Sequence, residues 1–138
     1  MLKPDSPYSF QITPNVSYGE TCLFSEARRL TRQAQADTLT ELAGLVQKCR
    51  DHFGAPAIIT SGHRPDAINR ACGGAASSEH LFNFKDTGAL DFYLDGVPIV
   101  DVQAWVVNKW PYSVGLGAPK GFVHVGMRSG RPRVVWDY

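Results

Sequence analysis

Three residues with metal-binding side chains, His80, Asp91 and His124, place the strongest constraint on how this chain folds. The first two lie within residues 61–91, and the third lies far downstream in the segment GFVHVGMR. A zinc ion in a hydrolytic site takes three protein ligands from His, Asp, Glu or Cys and keeps a fourth position open. We therefore predict that the fold brings these three side chains together as the ligands of a Zn2+ site.

Two of the three residues lie on segments that alternate with the period of a β-strand. In residues 88–94, GALDFYL, Asp91 lies on one face and the other face carries Leu90, Phe92 and Leu94. In the segment FVHVGM, His124 and Gly126 share one face, opposite Val123 and Val125. Each segment is therefore predicted to be a strand with one apolar face toward the core and one face toward the metal.

Further short segments complete a predicted sheet. Residues 55–61, APAIITS, are apolar and rich in β-branched side chains, which predicts a buried central strand. Residues 113–116 and 133–136 are predicted as two more strands. Together with the helices described next, these strands indicate an α+β domain, an antiparallel sheet with helices packed on one face.

Apolar periodicity predicts two longer helices and one short helix. The first longer helix is predicted to begin near Thr38, which stands at capping-box spacing from Glu41, and to end at Gly54. The second covers residues 98–109, and the short helix follows Pro65. Both longer helices carry apolar stripes, so we expect them to cover the sheet.

Length and composition indicate one domain. A chain of 138 residues with 43% hydrophobic content can bury a single core, so residues 1–138 are predicted to form one domain. Within it, residues 1–24 contain Pro4, Pro7 and Pro14 among scattered aromatic side chains and are predicted to be an extended N-terminal arm. We expect the protein to be a monomer.

Charge and hydropathy narrow the range of partners. The net charge is +1 and no Lys/Arg block is present, which argues against a general nucleic-acid binder or a polybasic membrane anchor. No apolar run is long enough to cross a membrane, and the N-terminal MLKPDSPYSF lacks the pattern of a secretory signal. We therefore expect no membrane span and no self-directed export of the chain as given. The cysteines Cys22, Cys49 and Cys72 show no CxxC spacing and are expected to be free thiols.

Four motifs occur in a fixed order along the second half of the chain. They are SGHRP, GGAASSEH, GALD and FVHV, and a Trp follows near the C-terminus. In this order they resemble the M15 family of zinc peptidases, which includes D-alanyl-D-alanine carboxypeptidases and peptidoglycan endopeptidases. The resemblance implies an α+β fold of the hedgehog and DD-peptidase type and a zinc ion bound by His80, Asp91 and His124. It also implies hydrolysis of peptidoglycan stem peptides or similar peptides that contain D-amino acids, and hence action on the cell wall.

The resemblance also implies roles for residues around the metal. Arg64 matches the Arg of the first motif and is expected to donate to the carbonyl or carboxylate of the substrate. Ser78 matches the Ser of the second motif and is expected to hydrogen-bond the substrate or a ligand. His63 stands where the family commonly has Tyr, as a catalytic residue or as part of the substrate wall.

The chain departs from the family pattern in two places. The segment LFNFKDT widens the spacing between His80 and Asp91 by about four residues, which a surface loop tolerates at small entropic cost. It also offers Asp86 as an alternative ligand to Asp91. The second departure lies around His124, where the family often has an acidic residue or a second His close to the last zinc ligand, whereas this chain has Gly121, Phe122 and Gly126.

The second departure leaves the general base open. The candidates by proximity to the motifs are His63, Glu79 and Asp86. A non-catalytic zinc-containing binding module of the same fold and a phage lysis or virion component are therefore alternatives to a peptidase. The sequence also leaves open whether a peptidase would act as a carboxypeptidase or as an endopeptidase.

Overall fold

A five-stranded sheet forms the centre of the computed structural model, which describes residues 1–128 and 130–138. Its strands are β3 (Ala57–Ser61), β4 (Gly88–Leu94), β5 (Ser113–Gly117), β6 (Phe122–Met127) and β7 (Val135–Asp137). They lie in the order β3, β4, β6, β5, β7. The first three pairings are antiparallel, whereas β7 joins β5 in parallel.

Four α-helices accompany the sheet in the described residues. They are α1 (Tyr18–Thr21), α2 (Gln33–Phe53), α3 (Asp66–Ala71) and α4 (Ile99–Lys109). A two-stranded sheet of β1 (Gln11–Thr13) and β2 (Val16–Ser17) precedes them. Short 3-10 helices cover Glu26–Arg28, Glu79–Leu81 and Ala118–Lys120. The α+β class predicted from the sequence is confirmed.

One face of the sheet forms the hydrophobic core with α2 and α4. The strands contribute Leu90, Phe92, Val123 and Val125, and the helices contribute Leu39, Leu42, Val46, Val102 and Val106. Because alternate strand residues point to opposite faces, the residues between them lie on the other face of the sheet. Those residues include Asp91 and His124, which are direct partners in the β4–β6 register.

Several elements differ from their predicted bounds. Helix α2 begins at Gln33, before the predicted start at Thr38, and the hydroxyl of Thr38 donates to the carbonyl of Ala34 inside the helix. The capping-box spacing therefore did not mark the start, although Gly54 ends the helix in the left-handed conformation as predicted. The strand predicted as central, β3, lies at the edge of the sheet.

The sheet and the N-terminal segment are also less uniform than predicted. The last strand runs parallel to its neighbour, so the sheet is mixed rather than purely antiparallel. Residues 1–24 contain β1, β2 and α1, and Tyr18 is fully buried with its hydroxyl donating to the carbonyl of Pro4. This segment is thus partly regular and packed into the domain.

In the described part of the chain, none of the helices has the length and apolar character that crossing a membrane requires.

Candidate metal centre

The fold brings His80, Asp91 and His124 together on the face of the sheet opposite the core. One ligand atom from each residue lies within 4.8 Å of the others. Asp91 Oδ1 lies 3.2 Å from His80 Nε2 and 2.8 Å from His124 Nδ1. All three side chains are buried, at 0% exposure for His80, 3% for Asp91 and 2% for His124.

The elements that carry these residues explain why they meet. Asp91 and His124 face each other across β4 and β6, and the same register adds Gly115 of β5 beside His124. His80 arrives from outside the sheet, on the 3-10 helix Glu79–Leu81, whose first turn is capped by the hydroxyl of Ser78. The carbonyl of His80 also accepts a hydrogen bond from the backbone N–H of Arg64, which ties the first two motifs together.

Each histidine has a second partner that selects the nitrogen facing the centre. His80 Nδ1 lies 2.8 Å from the carbonyl of Gly62, which can only accept, so Nδ1 carries the proton and Nε2 is left with a lone pair. His124 Nε2 lies 2.7 Å from Glu79 Oε1, which leaves Nδ1 for the centre when Nε2 donates. Partners of this kind fix the ring orientation and the tautomer of metal-binding histidines.

The Gly62 carbonyl is itself held by close packing. Gly62 follows β3 and lies against the backbone of the N-terminal segment, where a Cβ on Gly62 would overlap the carbonyl oxygen of Thr21. Only glycine therefore fits at this position without displacing that segment. The carbonyl that orients His80 is thus positioned by residues before and after it in the sequence.

Glu79 is part of the buried network. It is 3% exposed, and its second oxygen accepts hydrogen bonds from Ser113 Oγ at 2.5 Å and from Arg128 Nε at 2.6 Å. Its carboxylate occupies the space beside Gly126, where a Cβ would overlap Glu79 Oε1. The glycine on β6 thus makes room for a carboxylate that comes from the 3-10 helix.

The protonation of this network follows from burial and hydrogen bonding. Burial alone would raise the pKa of Asp91, but the contacts of its carboxylate with the His124 and His80 rings outweigh burial and hold the pKa well below its usual range. Burial opposes ionisation of Glu79 as well, and hydrogen bonds from His124 and Ser113 keep its pKa low. Both carboxylates are therefore ionised at neutral pH. Burial lowers the pKa of His80, so its ring is neutral.

The donor set fits a zinc ion. Two imidazole nitrogens and one carboxylate are ligands that zinc accepts, and three of them leave a fourth position for water or substrate. Ligands at about 2.0–2.1 Å from a tetrahedral ion lie roughly 3.3 Å apart, close to the separations around Asp91 Oδ1. The network of Gly62 and Glu79 supplies the outer partners that such ligands need.

A cleft of about 390 Å3 lies beside this centre and is lined by Arg64, Ser78, Glu79, His124 and Tyr138, among others. Arg64 donates from Nη2 to Ser78 Oγ at 3.3 Å, while its buried Nε has no hydrogen-bond partner among the described residues. Because Arg64 lines the cleft, its guanidinium is a charged donor to a ligand bound there.

Two aromatic residues of the C-terminal segment cover the outer side of His124. The ring centroids of Trp136 and Tyr138 lie 5.0 Å and 5.2 Å from that of His124. They approach because Gly115 has no side chain, and a Cβ there would crowd both Tyr138 and His124. The hydroxyl of Tyr138 lies 3.4 Å from Asp91 Oδ2, and burial together with the Asp91 charge raises the pKa of Tyr138 to about 12.

Two residues considered in the sequence analysis lie elsewhere. His63 is buried outside the cleft, with Nδ1 3.1 Å from the carbonyl of Arg28 and its ring packed edge-on against Phe82. Asp86 is exposed in the loop before β4, in the left-handed conformation at φ 54°, and does not belong to the buried cluster. The catalytic role of His63 stays a prediction, and its surroundings indicate a supporting one.

Sequence reasoning missed the position of Glu79 and the presence of Tyr138. Glu79 was considered only as a base, although its place beside His80 on one helical turn and the glycine at position 126 together signal a buried carboxylate. Tyr138 carried no signal, because a residue beyond the last predicted strand reaches the centre only through the parallel pairing of β7.

Comparison with known proteins gives one finding that bears on this site. The family model described as peptidase M15 matches residues 14–126, which include all three clustered residues, Arg64 and Glu79. No curated protein matches the sequence.

Proposed function

The chain belongs to the peptidase M15 family, and from this premise we propose that it is a zinc-dependent peptidase acting on peptidoglycan stem peptides or similar peptides with D-amino acids. The convergence of His80, Asp91 and His124 beside an open cleft carries this proposal. M15 peptidases depend on zinc, and the donor set here fits that ion. The cell wall is accordingly the proposed place of action.

Zinc bound at this centre would supply Lewis-acid chemistry, which lowers the pKa of water to about 7 and polarises a peptide carbonyl. The chain's own residues would hold and orient the reactants. Glu79 keeps the His124 ring in place through Nε2, and Gly62 does the same for His80 through Nδ1. These contacts fix both imidazoles before substrate arrives.

Arg64 and Tyr138 are the residues we assign to the substrate carbonyl. Arg64 lines the cleft with a cationic donor, and Ser78 contacts its guanidinium. Tyr138, whose pKa is raised to about 12, is protonated at neutral pH, so its hydroxyl can donate a hydrogen bond. Donors placed where negative charge develops are a large source of catalysis in peptide hydrolysis.

A non-catalytic zinc module is the second candidate, and the position of Glu79 favours it. Glu79 is the single carboxylate among the described residues that line the cleft. It contacts Nε2 of His124, whereas Asp91 contacts Nδ1, so the imidazole ring separates the Glu79 carboxylate from the metal centre. A base must reach the attacking water, and this carboxylate is held on the far side of a ligand.

Digestion of peptidoglycan separates the two candidates. Purified peptidoglycan is incubated with zinc-loaded protein, with chelator-treated protein and with zinc-loaded Arg64→Ala, and the released fragments are identified by mass spectrometry. A peptidase should release fragments at the full rate from the zinc-loaded wild-type sample and more slowly, or not at all, from the other two samples. The fragment masses then identify the bond that is cleaved. No release in the presence of one bound zinc per chain would overturn the peptidase and support the binding module.

A further inference from the structure

The segment that widens the spacing between His80 and Asp91 builds one wall of a second cavity. This cavity has a volume of about 610 Å3 and is lined by Asn83 and Phe84 from that segment. Its other side is formed by residues that follow β6, Arg128 and Arg131. The additional residues therefore form part of a cavity wall as well as lengthening the loop.

The second cavity adjoins the metal cleft. Ser77, Ser78, Glu79 and Arg128 line both. A peptide whose reacting carbonyl lies at the metal centre would therefore pass Ser78 and Arg128 and place its next residues in the second cavity. This position corresponds to a subsite a short distance along the substrate chain.

The charges around the two cavities have one predominant sign. Arg64, Lys120, Arg128 and Arg131 line them, against one carboxylate, that of Glu79. That carboxylate is already engaged by three donors, and Arg131 forms no ion pair with any described residue. The chain as a whole has a net charge of only +1, so positive charge is concentrated here. Such a concave surface attracts anions.

The chemistry of the lining indicates which anion fits. Guanidinium groups hold carboxylates through paired N–H donors, and Phe84, at 69% exposure, offers an apolar surface for the carbon atoms next to such a group. Ser77 and Asn83 add neutral polar groups. The lining is therefore suited to an amino acid residue with a free carboxylate rather than to a purely apolar one.

We propose that this second cavity is a substrate subsite that binds a free carboxylate of the peptide, held by Arg131 together with Arg128. The inference deepens the proposed function and rests on it for the identity of the ligand as a peptide. The carboxylate can come from a side chain or from a chain terminus, and both sources present the same group to the two arginines.

Binding of four synthetic stem peptides tests the subsite. The peptides carry one glutamate or its glutamine counterpart, each with a free or an amidated C-terminus, and their peptide bonds are replaced by non-hydrolysable analogues. Their dissociation constants are measured by calorimetry on the zinc-loaded protein. The variant Arg131→Gln removes a positive charge from the cavity lining, and the control Lys85→Gln removes a positive charge from the loop before β4, at a residue outside the lining.

We expect Arg131→Gln to weaken binding of one acid form by about tenfold and to leave its amide counterpart unchanged, with Lys85→Gln unaffected. The acid that loses affinity identifies the source, side chain or terminus. Equal binding of acid and amide forms to the wild-type protein, or equal weakening of both by Arg131→Gln, would overturn the subsite. Because binding is measured without turnover, acid-selective binding without hydrolysis would reject the peptidase and keep the subsite.

Discussion

The two faces of the β4–β6 strand pair are buried almost equally but are stabilised in different ways. On one face, Phe92 and Val123 are fully buried among apolar side chains from the helices. On the other, Asp91 and His124 are 3% and 2% exposed and are held by directional hydrogen bonds. Apolar packing depends on volume, whereas the polar network depends on the identity and charge of each member. Substitutions of neighbouring residues on one strand should therefore affect different properties, either the stability of the fold or the binding of zinc.

The largest expected effect is on the core face. Phe92→Ala removes a fully buried ring and should lower the free energy of unfolding by about 3–5 kcal/mol, measured by urea denaturation of the metal-free protein. The fraction that remains folded should still bind one zinc ion per chain, because the ligands lie on the opposite face. Loss of zinc in folded Phe92→Ala protein would show that the two faces are not independent.

A change at the neighbouring residue Asp91 should instead act mainly on zinc binding. Asp91→Asn keeps the shape of the side chain but removes the charge that a zinc ligand supplies, so zinc affinity should fall by more than about 100-fold in a chelator competition assay. Asp86→Asn is the matched control and should bind zinc as the wild type does. If zinc affinity fell in Asp86→Asn instead, the ligand would lie in the loop before β4.

Gly126→Asp introduces a side chain into space that Glu79 already fills. We expect this variant to be less stable than the wild type by about 1–3 kcal/mol and to bind zinc poorly, because the carboxylates overlap. The double variant Glu79→Ala with Gly126→Asp should recover zinc affinity relative to either single variant, measured by the same competition assay. No recovery would mean that the network requires a carboxylate from the 3-10 helix specifically.

The smallest effect is expected for Glu79→Gln, which keeps the size of the side chain and one acceptor for His124 Nε2. Zinc affinity should fall by about tenfold, because the ionised acceptor for His124 Nε2 is lost. This is the lower end of the loss found when a residue that hydrogen-bonds a metal ligand is changed. Gln103→Glu, a change of the same size at a buried residue of α4 outside the network, serves as the comparison for a buried charge change. Unchanged zinc affinity in Glu79→Gln would remove Glu79 from the support of the metal centre.

The features that the sequence predicted are those with a local signature. Alternation placed Asp91 and the apolar residues of β4 on opposite faces, and the glycine at position 54 marked the end of α2. The order of strands carries no such signature, so β3 was predicted as central although it lies at the edge. The start of α2 was also missed, because a Thr–Glu pair can occur inside a helix as well as at its cap.

The candidate site likewise contains residues that local motifs predict and residues that only the tertiary fold brings into place. His80, Asp91 and His124 belong to motifs and could be named as candidate ligands, and the structure brings them together. The role of Glu79 depends on Ser113 and Arg128, which lie 34 and 49 residues away in sequence and come close only through the sheet. Contacts of this kind are a property of the tertiary fold, and single-residue patterns do not encode them.

The packing of Gly62 against Thr21 makes the metal centre sensitive to an event far from it. The Gly62 carbonyl sets the tautomer of His80, and its position depends on the N-terminal segment lying in place. Loosening that segment would free the His80 ring to rotate, and zinc would then be released before the sheet itself melts. Zinc dissociation and local unfolding of the N-terminal segment should thus share one temperature dependence, so that the ion acts as an internal reporter of that segment's order.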